Sequence, residues 1–484
     1  MFKIPVSSVY RIALEEWRLW YRSQLAVAGL AVFVLLLVGT AWMTADRMGA
    51  ESHRRLEQQH HAEERFLAQP DRHPHRMVHY GHYAFRAPTP LALFDPGVDA
   101  WTGEALFLEG HRQNSATFAD AADSAGAGGF GRLTLARTYQ LFVPLLLIAL
   151  GHGVLLRERE TRTLPTLLAL GVSVGVLWIG KFLALLALAV ALLVPAAIVV
   201  SYAVVAGGAS AWVGGAVLGV YALYFVLWNV LILGTSFASR RRGEALALLM
   251  GVWLTWGLVV PRLAVAVSQI GSPTVGKLEW DFRMQEEARK AGDSHNPNDP
   301  AFVELRRSLL AKYGVDKVEE LPINIRGVVA ERGEAALTDV MNRFADLRME
   351  READQARALA HFGWLSPTVA LGAASRVLAG TDLGTHHRFL REAESFRFAF
   401  VQGLNRIHAK ELRYQDDVRR SGDPGAERRT RVSADHWALL GEFRFSRGGV
   451  EPRLFAAMMP VLMLSVWLLV LLAFFRWGIQ RWTW

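Results

Sequence analysis

LAVAGLAVFVLLLVGTAWM, Leu25 to Met43, is a run of 19 uncharged and mostly apolar residues. A helix rises about 1.5 Å per residue, so roughly 20 such residues cross a hydrocarbon core about 30 Å thick. The run reads as a membrane span, and similar runs follow at Tyr139 to Leu156, Val176 to Val205, Trp212 to Phe237, Leu246 to Val267 and Leu454 to Phe475. The third is too long for an upright crossing, so its membrane portion is expected near Phe182 to Val204, with Lys181 at the headgroups. Pro144, Pro195, Pro261 and Pro460 lie in or beside spans, where neighbouring helices can satisfy the freed backbone groups. The expected fold is an all-α polytopic membrane protein with six transmembrane helices.

Two long charged segments interrupt the spans. Residues 44–136 carry 9 Lys and Arg against 12 Asp and Glu, residues 268–452 carry 28 against 28, and the rest of the chain carries 16 against 5. The positive excess is thus confined to short flanks and loops, where the positive-inside rule applies. Lys3, Arg11, Arg18 and Arg22 precede span one, Arg157, Arg159 and Arg162 follow span two, Arg240 to Arg242 follow span four, and Arg476 and Arg481 follow span six. With six spans all four clusters share one side, taken as the cytoplasm of a bacterial inner membrane. Both termini, the loops 157–175 and 238–245 and the tail 476–484 are then cytoplasmic, and both long segments are periplasmic. The pI near 9.8 then reflects topology and not a nucleic-acid partner. No cysteine is present, so no disulfide holds the long segments. Glu15 and Glu16 and the distance of the first apolar run from Met1 argue against a cleaved leader.

Residues 1–24 place Val9, Ile12, Ala13, Trp17 and Trp20 at steps of three and four, predicting an amphipathic helix on the membrane surface. In the 268–452 segment, Val328 to Phe362 and His386 to Arg420 are dense in helix formers, predicting a mainly α-helical periplasmic domain between helices five and six. Its breaks fall at Asn296 to Pro300, Leu321-Pro322, Ser366-Pro367 and Ser421 to Gly425. Asp416 and Asp417 are adjacent and do not share a helical face, so they do not form a catalytic pair. Gly363 to Gly380 is apolar but short and contains Pro367 and Arg376. It reads as a core or interfacial helix and not a seventh span.

Eight of the fifteen histidines fall in residues 44–136: His53, His60, His61, His73, His75, His79, His82 and His111. His73, His75, His79 and His82 have spacings that could gather round zinc, copper or nickel. Pro70, Pro74, Pro88 and Pro90 instead suggest an extended, solvated or partner-facing segment, and no Cys or HExxH accompanies the histidines. No metal is expected, those four being the candidates. Asn229 and His152, the polar residues nearest mid-span, read as helix-packing hydrogen bonds.

The most specific local motif follows span two: RERETRTLPTLLALG, Arg157 to Gly171, then Gly180-Lys181. It resembles the first cytoplasmic loop of the ABC-2-type permeases, membrane subunits of ATP-driven exporters, in which a Glu-rich turn and a Thr-Leu pair open a short coupling helix. The segment GWLSPTVALGAASRVLAGTD, Gly363 to Asp382, is similar to one in a poorly characterised ABC-2 subgroup with large periplasmic insertions. The resemblance implies that Glu158, Glu160, Thr163 and Leu164 couple the chain to a cytoplasmic ABC ATPase dimer. It further implies that ATP and magnesium are bound by that partner and that a second permease, identical or related, completes the path. Membrane lipid is the other expected contact, with periplasmic proteins as further candidates and no nucleic acid. Gly175 to Lys181 has the spacing of a phosphate loop, but Phe182 stands where a magnesium-binding Ser or Thr belongs, so the chain is not expected to be an enzyme. Two other readings are a scaffold that moves its periplasmic domain without transport, and a passive receptor or anchor. A wide cavity lined by spans one, two and five would favour transport.

Overall fold

The computed structural model describes residues 6–116, 133–273, 276–296 and 298–481. Lys3, the end of the tail and residues 117–132 of the first long segment lie outside them. Among the described residues six helices are long and apolar enough to cross a membrane: Ala26–Asp46, Leu135–Glu160, Val174–Val205, Ala211–Ala238, Arg242–Gly271 and Val450–Trp477. The chain is therefore a mostly helical, multi-pass membrane protein by length and apolarity of its helices. Spans two and four are buried on most of their surface and form the centre, while spans one, five and six are largely exposed.

Helix α1 (Val6–Arg22) packs against span three, and Ser23 caps the next helix by accepting from Ala26 N. That helix, α2 (Gln24–Leu67), runs 44 residues without a break, about 66 Å and roughly twice a hydrocarbon core. The expected irregular segment after Met43 is thus helical at first. Residues such as Arg54, Leu56, Glu57, Gln58, Glu63 and Arg65 are good helix formers, and Pro70 and Pro74 come only after the helix has ended. Next come α3 (Pro74–Tyr80) and a three-stranded antiparallel sheet of β1 (His82–Phe85), β2 (Ala105–Glu109) and β3 (Arg112–Gln113), in which Ala84 pairs with Leu106. Gly81, at φ 71, makes the turn from α3 into β1, where a Cβ would sit 2.3 Å from the Phe107 ring.

Span two consists of α4 (Leu135–Gly151) and, after a turn, the short α5 (Leu156–Glu160), and α6 (Thr163–Ala169) follows it. Spans three and four are α7 (Val174–Val205) and α8 (Ala211–Ala238). Within α7, Pro195 cannot donate to the helical ladder. The buried Tyr139 hydroxyl enters the ladder beside it, donating to Leu192 O at 2.7 Å and accepting from Ala196 N at 3.1 Å. Span five is broken into α9 (Arg242–Leu254), a π turn at Thr255–Val259 and α10 (Val260–Gly271). The wide turn lies just before Pro261, and one of its carbonyls, Trp256 O, accepts from Ser366 Oγ at 2.7 Å.

The second long segment contributes α11 (Lys277–Lys290), α12 (Val303–Tyr313), α13 (Ile325–His361), α14 (Pro367–Ala379), α15 (Leu383–Glu411) and α16 (Tyr414–Arg419) before α17 (Val450–Arg481) forms span six. The two long segments build a single unit, here called the insertion domain. Phe66, at the end of α2, is fully buried among Met77, Val78, Phe400, Leu404 and Trp437. Ala84, Leu106 and Leu108 of the sheet pack on Phe389 and Ala393 of α15. Each such buried Phe, Leu, Val or Met side chain stabilises the union by about 1.5–3 kcal/mol.

Helix α14, the ambiguous apolar piece, lies buried between α8 and α17. A chain of polar contacts fixes it: Ser375 Oγ donates to Asp95 Oδ2 at 2.5 Å, Tyr221 OH lies 3.1 Å from Ser375 Oγ and accepts from Gln140 Nε2 at 3.1 Å, and Tyr224 OH lies 2.9 Å from Thr368 Oγ1. Trp467 Nε1 donates to Gly363 O at 3.0 Å. It is a core helix, as expected, shared between the bundle and the insertion domain. His152 bonds back to its own helix at Ile148 O, but Asn229 is fully buried and its side chain has no hydrogen-bond partner among the described residues, unlike the packing bond expected.

Candidate functional site

The Thr-Leu loop and the start of the chain meet at the basic end of the bundle. Between α5 and α6 the chain turns at Arg162, in the left-handed region at φ 57, and Thr163 Oγ1 donates to Glu158 Oε2 at 2.6 Å across that turn. The other oxygen of Glu158 accepts from Lys181 Nζ at 2.7 Å. Lys181 also reaches Glu16 of α1, whose carboxylate is fully buried and pairs with Arg157 as well. Two acids thus stand against two bases, and the node ties α1, α5 and α7 into one joint. A buried pair of this kind is weak evidence of net stability, but removing one partner strands a charge. Glu160 makes a second tie, to the side chain of Arg242 and, at 3.2 Å, to its backbone N–H at the start of α9. Arg159 donates to Phe237 O and Ser239 O at the end of α8.

The structure therefore brings Glu158 and Thr163 together and sends Glu160 to a neighbouring helix. Leu164, which the resemblance implies takes part in coupling, is 8% exposed and belongs to the bundle core. The leucine that projects is Leu170, 76% exposed, beside exposed Pro165, Thr166 and Ala169. Glu16, Lys181 and Arg242 complete the joint. Lys181 was legible as the end of the Gly-Lys pair, but nothing in the spacing of Glu16 marked it as a partner.

The four candidate histidines separate into three environments. His73 caps α3, its Nδ1 accepting from His75 N at 3.1 Å, so its Nε2 is left to donate to Asp417 Oδ1 at 3.1 Å. His408 donates to Asp417 Oδ2 at 2.8 Å and Asn324 Nδ2 to the same oxygen at 3.1 Å. Burial opposes the Asp417 charge, yet the bonds from His408 and His73 outweigh it and hold the carboxyl far below the usual range. With both its nitrogens engaged, His73 is a clasp between the two long segments. His82 is buried beside Gln59, and burial pushes its ring down to about 4.

His75 and His79 lie one turn apart on α3 and meet His111, from the turn between β2 and β3, and His295, from the loop after α11. One nitrogen of each lies within 4.8 Å of the others. Burial first, and then the neighbouring rings, drive His75 down to about 2, and its Nε2 lies 3.2 Å from His79 Nε2. Of the four expected candidates, the fold thus gathers two and replaces the others with histidines that no local spacing pointed to.

The family model described as Domain of unknown function (DUF3526) matches residues 279–446. No curated protein matches the chain. The matched stretch takes in most of α11 and all of α12 to α16, together with His295, and falls between spans five and six. In that segment of the insertion domain, then, this chain is similar to the DUF3526 family.

Proposed function

We propose that this chain is the membrane-spanning subunit of an ATP-driven exporter, moved by a separate cytoplasmic ATPase that docks on the loop containing α5 and α6. The observation that carries this reading is the ion-pair joint at the basic end. A push on α6 would reach α1 and α7 through Glu158, Lys181 and Glu16, and α9 through Glu160 and Arg242, so one short helix addresses two spans and the interfacial helix. An apolar groove of about 450 Å³ along Val32, Phe33, Leu36, Phe142, Leu146 and Met250, on spans one, two and five, supplies a surface along which a substrate could pass. In this reading the basic end faces the cytoplasm, the insertion domain faces the periplasm, and two permeases enclose the path.

The test is recovery of the partner. Full-length chain purified from its native membranes should bring down an ATP-binding-cassette subunit. Thr166→Arg with Leu170→Asp, both exposed, should abolish that recovery at unchanged membrane level. Purification without any nucleotide-hydrolysing subunit rejects the reading. A second reading, a mechanotransmitter, is favoured by α2 alone: one unbroken helix joins the basic end to Phe66 in the insertion-domain core, so motion could be delivered with nothing crossing.

A further inference from the structure

We propose that His75, His79, His111 and His295 form a binding site for one late divalent transition ion, zinc or copper(II), that staples the two long segments of the insertion domain together. The proposal is independent of any ATPase partner.

The geometry is that of a ligand set. Ions of this class bind imidazole nitrogen at about 2.0–2.1 Å, which places ring centroids about 5 Å apart in a tetrahedral site, and about 4.5 Å (adjacent) or about 6.4 Å (opposite) in a square-planar one. All six centroid separations here fall between 4.7 and 6.0 Å. The two widest, 5.7 Å for His75 with His111 and 6.0 Å for His79 with His295, are the two opposite pairs, so the four rings describe a flattened tetrahedron. His75 Nε2 and His79 Nε2 are already 3.2 Å apart, close to the ~3.3 Å edge of a tetrahedral nitrogen set.

The rings are also backed as metal ligands usually are. A ligating imidazole commonly turns its other nitrogen to a carboxylate, which fixes the ring and raises its basicity. His111 Nδ1 lies 2.8 Å from Glu334 Oε2 and His295 Nδ1 lies 3.2 Å from Asp293 Oδ1. Glu334 is itself fully buried and held by Arg397 Nη1 at 2.6 Å. Among the described residues both His111 nitrogens are buried without an aligned hydrogen bond, Nδ1 standing against Glu334 at ion-pair distance only. The carboxylates of Asp293 and Glu334 stand beside the rings, Glu334 sharing its charge with Arg397. The three-residue cluster His73, His408 and Asp417 lacks this character, because both His73 nitrogens and both Asp417 oxygens are already bonded.

An ion here would do what a disulfide cannot do in a chain without cysteine. It would join α3 and the β2–β3 turn, both from the first long segment, to the loop that precedes α12 in the second. His79 and His295 are solvent-exposed, so the ion can load from solution into the folded domain.

The experiment uses the full-length chain in detergent, purified through a tag without histidine, stripped by chelator and titrated separately with zinc and copper(II). Metal content by mass spectrometry should reach one ion per chain, and bound copper should show nitrogen hyperfine structure in its electron paramagnetic resonance. His79→Ala and His295→Ala should each weaken binding more than about 100-fold and Asp293→Ala about tenfold, whereas His61→Ala, on the exposed face of α2, should change nothing. The bound ion should raise the melting midpoint of the parent and leave those of His79→Ala and His295→Ala unmoved. Zinc binding alone, or copper binding alone, supports the site and names its ion. Equal affinity in the parent and in the His79→Ala and His295→Ala chains, or no ion retained by the parent, overturns it.

Discussion

Lys181, near the start of span three, donates its ammonium to Glu158 of α5 at 2.7 Å, and does so while 96% of its own side chain is out of contact with solvent, its side-chain exposure being 4%. The same ammonium meets Glu16, so one cation serves two acids from different parts of the chain. Lys181→Met would leave both acids with only Arg157 as a counter-charge, and is expected to cost about 3–5 kcal/mol. Denaturant unfolding of the purified protein reads the loss. Because Lys181, Glu16 and Glu158 act as one unit, Lys181→Met combined with Glu16→Gln should cost less than the sum of the single changes. Strict additivity would mean that the joint does not exist.

Tyr139 and Pro195 are expected to be coupled. Tyr139→Phe removes a hydroxyl that makes two hydrogen bonds inside the α7 ladder, at Leu192 O and Ala196 N, and should cost about 1–3 kcal/mol. In a Pro195→Ala background the helix regains a backbone donor, and the same Tyr139→Phe change should cost clearly less. A double-mutant cycle on thermal unfolding measures the difference; an unchanged penalty contradicts the inserted hydroxyl.

Acid should loosen the insertion domain in two steps. His82 is held down to about 4 by burial, below its free value near 6.5, so its contribution is fully present above pH ~6.5 and is lost as pH falls toward 4. Over that window the loss from His82 by itself should be about 3 kcal/mol. Asp417 is likewise depressed, so its contribution is present above pH ~4 and is lost below it. Stability against pH should therefore slope from about 6.5 downward and steepen below about 4. His82→Gln should make the first limb shallower, the rest of its slope coming from His73, His75 and His386, likewise held down by burial, and leave the second.

Gly81→Ala is expected to destabilise the junction of α3 with the sheet. The residue sits at φ 71, and its new Cβ would stand 2.3 Å from the Phe107 ring and 3.0 Å from the carbonyl of Leu108. Strain and overpacking together should cost about 2–4 kcal/mol. Limited proteolysis should then cut faster near residues 80–110. Gly171→Ala, at φ 82 but in open space, should cost only the backbone term of roughly 1 kcal/mol.

Much of this architecture is local physics and so can be read along the chain. A run such as Leu25 to Met43 makes a span because its own length and apolarity meet the bilayer, with no distant residue needed. The same holds for the prolines that end or bend helices and for the helix-forming stretch around α13. The amphipathic periods of α1 are equally local. The Thr-Leu loop could be recognised, and the bond between Glu158 and Thr163 spans only five residues.

The pairings that join distant segments were set by the fold alone. Side-chain bonds act over about 3 Å, and only packing decides which far-off residue comes within reach. The first long segment, read as irregular, became helix and sheet because Phe66, Ala84, Leu106 and Leu108 could be buried against α15. Leu164 turned inward because the bundle core offered it apolar contacts, leaving Leu170 on the surface. His73 and His82 were drawn to Asp417 and Gln59, while His75 and His79 met His111 and His295. Composition and periodicity carry the spans; tertiary packing alone chose Glu16 for Lys181 and His295 for His75.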